Sequence, residues 1–298
     1  MRKYSTHFII LIYLLLLSGF SGCAKKGGSS LSDTALPVSF WLTKPDQSVL
    51  FQKQTIPLAF RADSTTGPII HIDASQTFQT IDGFGYTLTG GSATLLHLMA
   101  APDRKALLQE LFDTTDNHIS VSYLRISIGA SDLSDHVFSY DDLPPGQTDP
   151  MMEKFSLAAD KVDLIPVLKE ILAIYPSMKI LGSPWSPPTW MKINGQSKGG
   201  SLKPTFYDAY ARYFVKYIHG MQAEGIRIDA ITIQNEPLHP GNNPSLLMLP
   251  NEQAAFIKQS LGPAFRQAGL DTKIILYDHN ADRPDYPIQI LNDPEARQ

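Results

Sequence analysis

The chain has 298 residues, of which 43% are hydrophobic and 10% aromatic, enough for one large folded domain or two ordinary ones. Its 25 Lys and Arg residues against 29 Asp and Glu residues give a formal net charge of −4, and the basic residues form no stripe. This mild charge excludes a polyanion-binding surface, and we expect no nucleic-acid partner.

The first 36 residues have the composition of an export signal followed by a tether. A positively charged start precedes an apolar run at 8–17, which is too short to span a bilayer as a stable helix. Ser21-Gly22-Cys23 resembles a bacterial lipoprotein processing site, and Cys23 is the only cysteine of the chain. We therefore predict a lipoprotein signal peptide at 1–22, lipidation of Cys23 and a flexible Gly/Ser tether at 23–36. The protein is then expected to be exported and held at a bacterial membrane, at the cell surface or in the periplasm, by its lipid alone.

Residues 37–79 carry a pattern typical of short strands. Val38, Phe40 and Leu42 alternate with other residues, and Pro and Gly interrupt the segment. We predict that this β-rich segment forms strands of a side β-domain.

From residue 80 onward, short apolar runs alternate with longer amphipathic segments. Strands are predicted at 80–85, 122–128, 178–182, 228–233 and 273–277. Helices are predicted at 91–99, 102–112, 160–175, 206–221 and 252–268, with another beginning near 285. This alternation is typical of parallel β/α units.

Two α/β architectures have such units, the doubly wound sheet and the (β/α)8 TIM barrel. A doubly wound nucleotide-binding fold needs a Gly-rich phosphate turn, and Gly83-Phe84-Gly85 lacks the third glycine. Chemistry gathered just past the strand ends is instead how a barrel builds its active face, and here those positions hold Asp132, Trp185, Asn235-Glu236 and Asp278-His279-Asn280. We therefore predict a TIM barrel over 80–298. Closure needs eight strands, so we interpret this domain as a partial barrel that is truncated after about five β/α units.

A carboxyl group with the surroundings of a proton donor follows the fourth predicted strand, in Asn235-Glu236-Pro237. Glycoside hydrolysis needs a carboxyl group that delivers a proton to the leaving oxygen, and a neighbouring amide can hold the 2-hydroxyl group of the sugar. Because a residue before proline favours an extended backbone, we expect Pro237 to keep Glu236 extended. A surface glutamate in a turn is the alternative. We predict Glu236 as the acid/base residue.

Three further side chains fit a sugar site. Trp185, in the Pro-rich loop after the third strand, offers an indole face on which a sugar ring can stack. Arg125 lies in an otherwise apolar strand, where a charge is costly unless it is paired, so we expect a buried carboxylate partner, either catalytic or purely structural. Asp132 follows the same strand and can accept hydrogen bonds from two sugar hydroxyl groups.

Taken together, these segments resemble glycoside hydrolase family 30, which contains the glucosylceramidases and the endo-β-1,6-glucanases. The resembling segments follow the order of the family and comprise Asp82-Gly83-Phe84-Gly85, Leu124–Asp132, Ser183–Trp190, Tyr210–Lys216 and Asn235-Glu236-Pro237. The resemblance implies a TIM barrel with a side β-domain, and hydrolysis with retention of configuration.

The resemblance also assigns roles to individual residues. It implies that Glu236 is the acid/base residue and that Asn235 holds the 2-hydroxyl group. Asp132 and Trp185 would contact the terminal glucose. Arg125 would support the nucleophile, a glutamate that the family carries after its seventh strand and that we expect to lie outside this chain.

The sequence thus predicts a glycoside hydrolase that cleaves a β-glucoside or β-glucan by two-carboxylate double displacement. It is either a glucosylceramidase-like β-glucosidase or an endo-β-1,6-glucanase, and this chain alone is expected to lack the nucleophile. The substrate stays open because Gly90 follows Thr89 where many glucosylceramidases have an acidic residue. Two alternatives are a non-catalytic, lipid-anchored glycan-binding protein and a related endo-cellulase. The histidines lack metal-ligand spacing, and two carboxylates need no cofactor, so we expect neither metal nor cofactor.

Overall fold

A computed structural model of the protein describes residues 37–59, 67–68, 70–115 and 118–298. The predicted signal peptide at 1–22, the lipidation of Cys23 and the tether at 23–36 lie outside these residues. The chain divides into two compact units, Met1–Ile72 and Asp73–Gln298. Within the described ranges, none of the helices combines the length and the apolar character that a membrane crossing requires.

The described part of the first unit consists of very short antiparallel strands. They are β1 (Pro37–Val38), β2 (Trp41–Leu42), β3 (Gln52–Lys53) and β4 (Leu58–Ala59). Strand β1 pairs with β4 and β2 pairs with β3. Trp41 stacks on Phe51 with ring centroids 6.2 Å apart. The prediction of β-strands near the N-terminus is confirmed, and the structure shows that their pairing is antiparallel.

The second unit alternates strands and helices along the chain. Its strands are β5 (Gly85–Leu88), β6 (Tyr123–Ile128), β7 (Lys179–Pro184), β8 (Ala230–Thr232) and β9 (Lys273–Ile275). Its helices are α1 (Gly90–Leu98), α2 (Ala101–Phe112), α3 (Leu164–Ile174), α4 (Tyr207–Ala223), α5 (Pro250–Phe256), α6 (Gly262–Gln267) and α7 (Asp285–Leu291). A π-helical segment, Ile257–Leu261, joins α5 to α6, and 3₁₀ turns lie at Thr189–Met191 and Pro204–Phe206.

All five strands of this unit are parallel and adjacent in chain order, β5-β6-β7-β8-β9. Ile128 pairs with Pro184 and Thr232 pairs with Ile275, so the strands end nearly level. The predicted parallel β/α order is confirmed. Side chains that follow these strands consequently gather at one edge of the sheet.

The core of this unit lies where the helices pack against the sheet and against one another. Helix α4 buries a run of aromatic residues at helical spacing, and α3 buries one aliphatic face. These residues are Tyr210, Tyr213, Phe214 and Tyr217 on α4, and Leu164, Ile165, Val167, Leu168 and Ile171 on α3. Tyr210 also stacks on Phe256, with ring centroids 5.4 Å apart. This packing stiffens the helices behind the sheet and holds the strand ends in place.

The first predicted strand of this unit, 80–85, is wrong in position, because the strand begins at Gly85 and ends at Leu88. Gly85 pairs with Tyr123, and a Cβ at Gly85 would lie 1.4 Å from the carbonyl oxygen of Tyr123. Only glycine allows so close an approach. The apolar side chains of Ile81 and Phe84, which suggested the strand, are exposed.

Candidate active site

An open cavity of about 440 Å³ lies at the edge of the sheet where the parallel strands end. The loops after all five strands of this sheet supply its wall. The lining residues are Thr87, Thr89, Arg125, Asp132, Leu133, Trp185, Asn235, Glu236, Asn242, Asp278, His279 and Asn280. All five of the predicted site residues that fall in the described ranges, namely Arg125, Asp132, Trp185, Asn235 and Glu236, therefore line one cavity.

Arg125 is the centre of a hydrogen-bond network on the cavity floor. Its Nη2 donates to Asn235 Oδ1 at 2.7 Å, to Asp278 Oδ2 at 2.7 Å and to Ser183 Oγ at 3.1 Å. The carboxylate partner that the sequence predicts for this strand arginine is therefore Asp278. Arg125 Nε is buried and makes no hydrogen bond with a described residue.

Asp278 gathers hydroxyl groups as well as the arginine. Its Oδ2 accepts from Ser183 Oγ at 2.6 Å and lies 2.9 Å from Thr232 Oγ1, and those two hydroxyl oxygens are 2.6 Å apart. A single carboxylate oxygen thus accepts from groups on β6, β7 and β8. The network fixes Arg125 in one orientation, which a planar guanidinium needs for directed hydrogen bonds.

Trp185 is 5% exposed, and the Arg125 guanidinium carbon lies 4.7 Å from the centre of its ring. This cation–π contact covers part of the indole, so the ring is less open to the cavity than a free stacking platform. Its Nε1 is buried without a hydrogen-bond acceptor among the described residues. Trp190 is a core residue instead: it packs edge-on against Phe206 and donates to the Asp141 carbonyl.

Asn235 and Glu236 lie three and four residues past the end of β8, and backbone hydrogen bonds hold both. The Asn235 N–H donates to the Pro184 carbonyl at 2.8 Å and the Glu236 N–H donates to the Asp278 carbonyl at 2.9 Å. Because Arg125 occupies Asn235 Oδ1, the Nδ2 group of Asn235 is the one left to donate to a ligand.

The prediction that Pro237 keeps Glu236 extended is wrong. Glu236 has a φ of +45°, in the left-handed region that residues other than glycine rarely adopt. Its carbonyl accepts from the His239 N–H at 2.8 Å, which closes a turn that begins four residues past the end of β8. These backbone hydrogen bonds outweigh the local preference, and strain of this kind is often found at functional sites.

The Glu236 carboxyl group is held from two sides. Asn242 Nδ2 donates to Oε2 at 2.9 Å, and His279 Nε2 lies 3.4 Å from Oε1. The side chain remains 28% exposed, at the cavity. This arrangement leaves the carboxyl group oriented and within reach of a ligand.

Sequence reasoning did not single out Asn242 or assign roles to His279 and Asn280. His279 and Asn280 could have been found because they lie just past a strand. Asn242 has no such signal, since it reaches Glu236 from a loop ten residues past β8. Cys23 lies outside the described residues. In the described ranges, no three His, Cys, Asp or Glu side chains group in a way that would hold a metal ion.

Comparison with known proteins gives consistent matches. A profile of the glycosyl hydrolase family 30 TIM-barrel domain matches residues 81–298. The chain is 41% identical over 220 residues to an endo-1,6-β-D-glucanase of Neurospora crassa, covering 72% of this chain and 45% of that protein. It is 33% identical over 251 residues to the lysosomal acid glucosylceramidase of Mus musculus, covering 80% and 48%.

A solved structure of the endo-β1,6-glucanase BT3312 superposes with a TM-score of 0.76 at 37% identity, covering 87% of this chain and 57% of that one. The chain spans about half the length of the curated relatives it matches. The five-stranded sheet is thus part of a TIM barrel, and the fold prediction is confirmed.

Proposed function

The chain belongs to glycosyl hydrolase family 30, and from this membership we propose that the full-length protein is a retaining β-glycosidase that hydrolyses β-glucosidic bonds. The observation that carries the proposal is the oriented Glu236 carboxyl group at the cavity, held by Asn242 and His279. Glu236 is the proposed acid/base residue. In the first step the nucleophile bonds to the anomeric carbon while Glu236 gives its proton to the departing oxygen. In the second step Glu236 takes a proton from the water that displaces the nucleophile.

We assign the sugar on the non-reducing side to Asp132, Trp185 and Asn235. The Asp132 carboxylate is exposed in the cavity wall and suits two hydroxyl groups. The Nδ2 group of Asn235 suits the 2-hydroxyl, a contact that strengthens in the transition state. Trp185 supplies apolar surface beside them.

The nucleophile has to be a second carboxylate at the same site. Three carboxylates belong to the described cavity lining: Asp132, Glu236 and Asp278. Asp278 is a poor nucleophile because its Oδ2 already accepts from Arg125 and two hydroxyl groups. The buried Nε of Arg125 is a donor without a partner among the described residues, and it supports the assignment of a further carboxylate to this site. We therefore do not assign the nucleophile to a described residue.

We favour β-1,6-linked glucan as the substrate. Endo-1,6-β-glucanases of Neurospora crassa and Aspergillus fumigatus are 41% and 39% identical to the chain, against 33% for the mouse glucosylceramidase. The side chains that hold Glu236 and would face the leaving group are those of Asn242 and His279, and both are polar. Polar groups suit a departing sugar better than a lipid. A lipid glucoside is the second candidate, supported by the glucosylceramidase matches.

We also propose that the mature protein is exported and anchored through a lipid on Cys23, as its first 36 residues predict. Metabolic labelling with a radioactive fatty acid tests this directly. Label that persists in a Cys23→Ser variant would contradict it.

The activity is tested by incubating the full-length protein with β-1,6-glucan, β-1,3-glucan, cello-oligosaccharides and glucosylceramide. We expect cleavage of the β-1,6-glucan, with the β anomer as the first product by proton NMR, because a retaining enzyme keeps the configuration. A protein that binds gentiobiose in calorimetry but cleaves none of these substrates would be a glycan-binding protein. That result would overturn the proposal.

A further inference from the structure

Lys192 is a lysine of the protein interior, in the loop that follows Trp185. Its side chain is 0% exposed. Nζ lies 3.0 Å from Ser186 Oγ, 2.8 Å from the Ser197 carbonyl and 2.6 Å from the Ser245 carbonyl. Three oxygens thus match the three N–H donors of the ammonium, and none belongs to a carboxylate. Burial lowers the pKa of Lys192 to about 7, so a lysine here costs free energy that an apolar side chain would not.

The three acceptors belong to two different loops of the cavity wall. Ser186 and Ser197 lie in the loop after β7, and Ser245 lies in the loop after β8. The loops are also bonded directly: the Ser245 N–H donates to the Ser197 carbonyl at 3.0 Å, and the Gly199 N–H donates to Ser245 Oγ at 2.9 Å. Lys192 Nζ lies at the centre of this junction and is hydrogen-bonded to both loops.

The junction lies close to the proposed acid/base residue. Ser197 Oγ donates to Asn243 Oδ1 at 2.7 Å, and the preceding residue, Asn242, donates to Glu236 Oε2 at 2.9 Å. The course of the loop after β8 therefore decides whether the Asn242 amide reaches Glu236. The position of this loop is held at the junction, where Lys192 Nζ is hydrogen-bonded to both loops.

We propose that Lys192 is a positioning residue: by holding the loop after β8 against the loop after β7, it keeps Asn242 on the Glu236 carboxyl group. Lys192 itself contacts no substrate, since its ammonium is enclosed by Ser186, Ser197 and Ser245. The inference rests on the proposed function, in which Glu236 protonates the leaving group. If Glu236 is no longer held in position, reactions whose leaving group needs this proton become slower. Reactions whose leaving group departs without it keep their rate.

The test is Lys192→Met in the full-length protein, with kcat/KM measured on aryl β-glucosides. For a phenol leaving group we expect a fall of roughly 10–100-fold, and for dinitrophenol less than about 3-fold, because misplacing a general acid affects only the leaving group that needs protonation. Lys198→Met, at an exposed lysine of the same loop, is the matched control and should match the wild type on both substrates. An equal fall on both substrates would overturn the proposal.

A double-mutant cycle with Asn242→Ala identifies the route. If Lys192 acts through Asn242, the double variant should be no slower than Asn242→Ala alone, whereas independent effects would multiply and contradict the proposal. If Lys192→Met does not fold, Ser186→Ala can replace it in the same cycle. This variant removes one of the three acceptors, so the expected effects are smaller.

A crystal structure of Lys192→Met, or of Ser186→Ala if that variant is the one that folds, keeps this inference distinct from the proposed function. We expect Asn242 Nδ2 to lie beyond 3.5 Å, the usual limit of a hydrogen bond, from Glu236 Oε2. An unchanged contact would overturn the positioning role even if the wild type hydrolyses β-glucosides. A wild type without hydrolase activity would overturn the proposed function alone, and the structure would still decide whether Lys192 positions Asn242.

Discussion

Arg125 Nη2 and Asp278 Oδ2 lie 2.7 Å apart, and they join β6 to the loop after β9 across the ends of the two strands between them. The side chains are 18% and 19% exposed, so the pair is largely withdrawn from water. The same Nη2 also donates to Asn235, the residue predicted to bind the 2-hydroxyl group of the sugar. The ion pair and the position of Asn235 therefore depend on one orientation of the guanidinium.

Replacing Asp278 with Asn should therefore affect both stability and activity. Removing one partner of a fully buried pair costs about 3–5 kcal/mol, and the partial exposure here should reduce this to roughly 2 kcal/mol. We also expect a lower kcat/KM, because Arg125 loses the partner that orients it towards Asn235. Urea unfolding and steady-state kinetics measure the two effects.

Asp271→Asn is the matched control for this change. Asp271 pairs with Arg227 at 3.0 Å, but both side chains are exposed. An exposed pair contributes little to stability because water screens it, and Asp271 is not among the residues that line the cavity. Equal losses of stability in the two variants would show that the Arg125–Asp278 pair contributes no more to the free energy of unfolding than an exposed pair does.

Glu236→Gln tests the proposed proton donor. On substrates with poor leaving groups, kcat/KM should fall roughly 10²–10⁴-fold, which is the usual contribution of general acid catalysis. Substrates with activated leaving groups should keep their rate in the first step, since their oxygen departs without protonation. Kinetics on a series of aryl glucosides gives both values.

Glu153→Gln, at an exposed glutamate outside the cavity, controls for loss of a carboxylate and should leave the series unchanged. If Glu236→Gln slows all leaving groups alike, Glu236 is not the proton donor.

Strand and helix order could be predicted from the sequence, because parallel β/α units leave a strong alternation of apolar runs. Placement past strand ends also predicts that Trp185 and Glu236 lie close together, and both line one cavity. The first strand was misplaced because Ile81 and Phe84 are apolar, although the pairing starts only at Gly85. Apolar residues usually indicate a buried strand, but Ile81 and Phe84 are exposed and lie outside the strand.

Other features depend on contacts that no local pattern encodes. The turn at Glu236 overrides the extended preference set by Pro237, since Asp278 and His239 bond to its backbone. Asn242 reaches Glu236 from a loop that hydrogen-bonds to Lys192, a buried lysine that sequence reasoning would place at the surface. Long-range hydrogen bonds of this kind leave no periodic signal.

Asp132→Asn tests the proposed contact to sugar hydroxyl groups. Loss of hydrogen bonds to a charged acceptor costs about 1.5–3 kcal/mol, so kcat/KM should fall roughly 10–100-fold. Unlike the effect of Glu236→Gln, this fall should be the same for good and poor leaving groups, because the contact acts on the sugar that stays. Asp135→Asn, at an exposed aspartate three residues on that does not line this cavity, should have no such effect. A dependence on the leaving group would contradict the assignment.

Asp160 predicts a pH dependence of stability. Burial raises the pKa of Asp160 to about 7 from its ordinary value of 3.8, although the Tyr140 hydroxyl group donates to the carboxyl. Between these pH values the folded protein holds a proton that the unfolded chain has released, so the free energy of unfolding should fall as pH rises from about 4 to 7.

In Asp160→Asn the neutral amide cannot titrate, and this component of the pH dependence should vanish. Relative to the wild type, the variant should gain stability as pH rises from 4 to 7, by up to a few kcal/mol on the order of the shift. Urea unfolding of both proteins at several pH values in this range measures the difference. A curve for Asp160→Asn that runs parallel to that of the wild type would mean that the buried carboxyl group is not the source of the slope, because a group with equal proton affinity in both states cannot contribute to it.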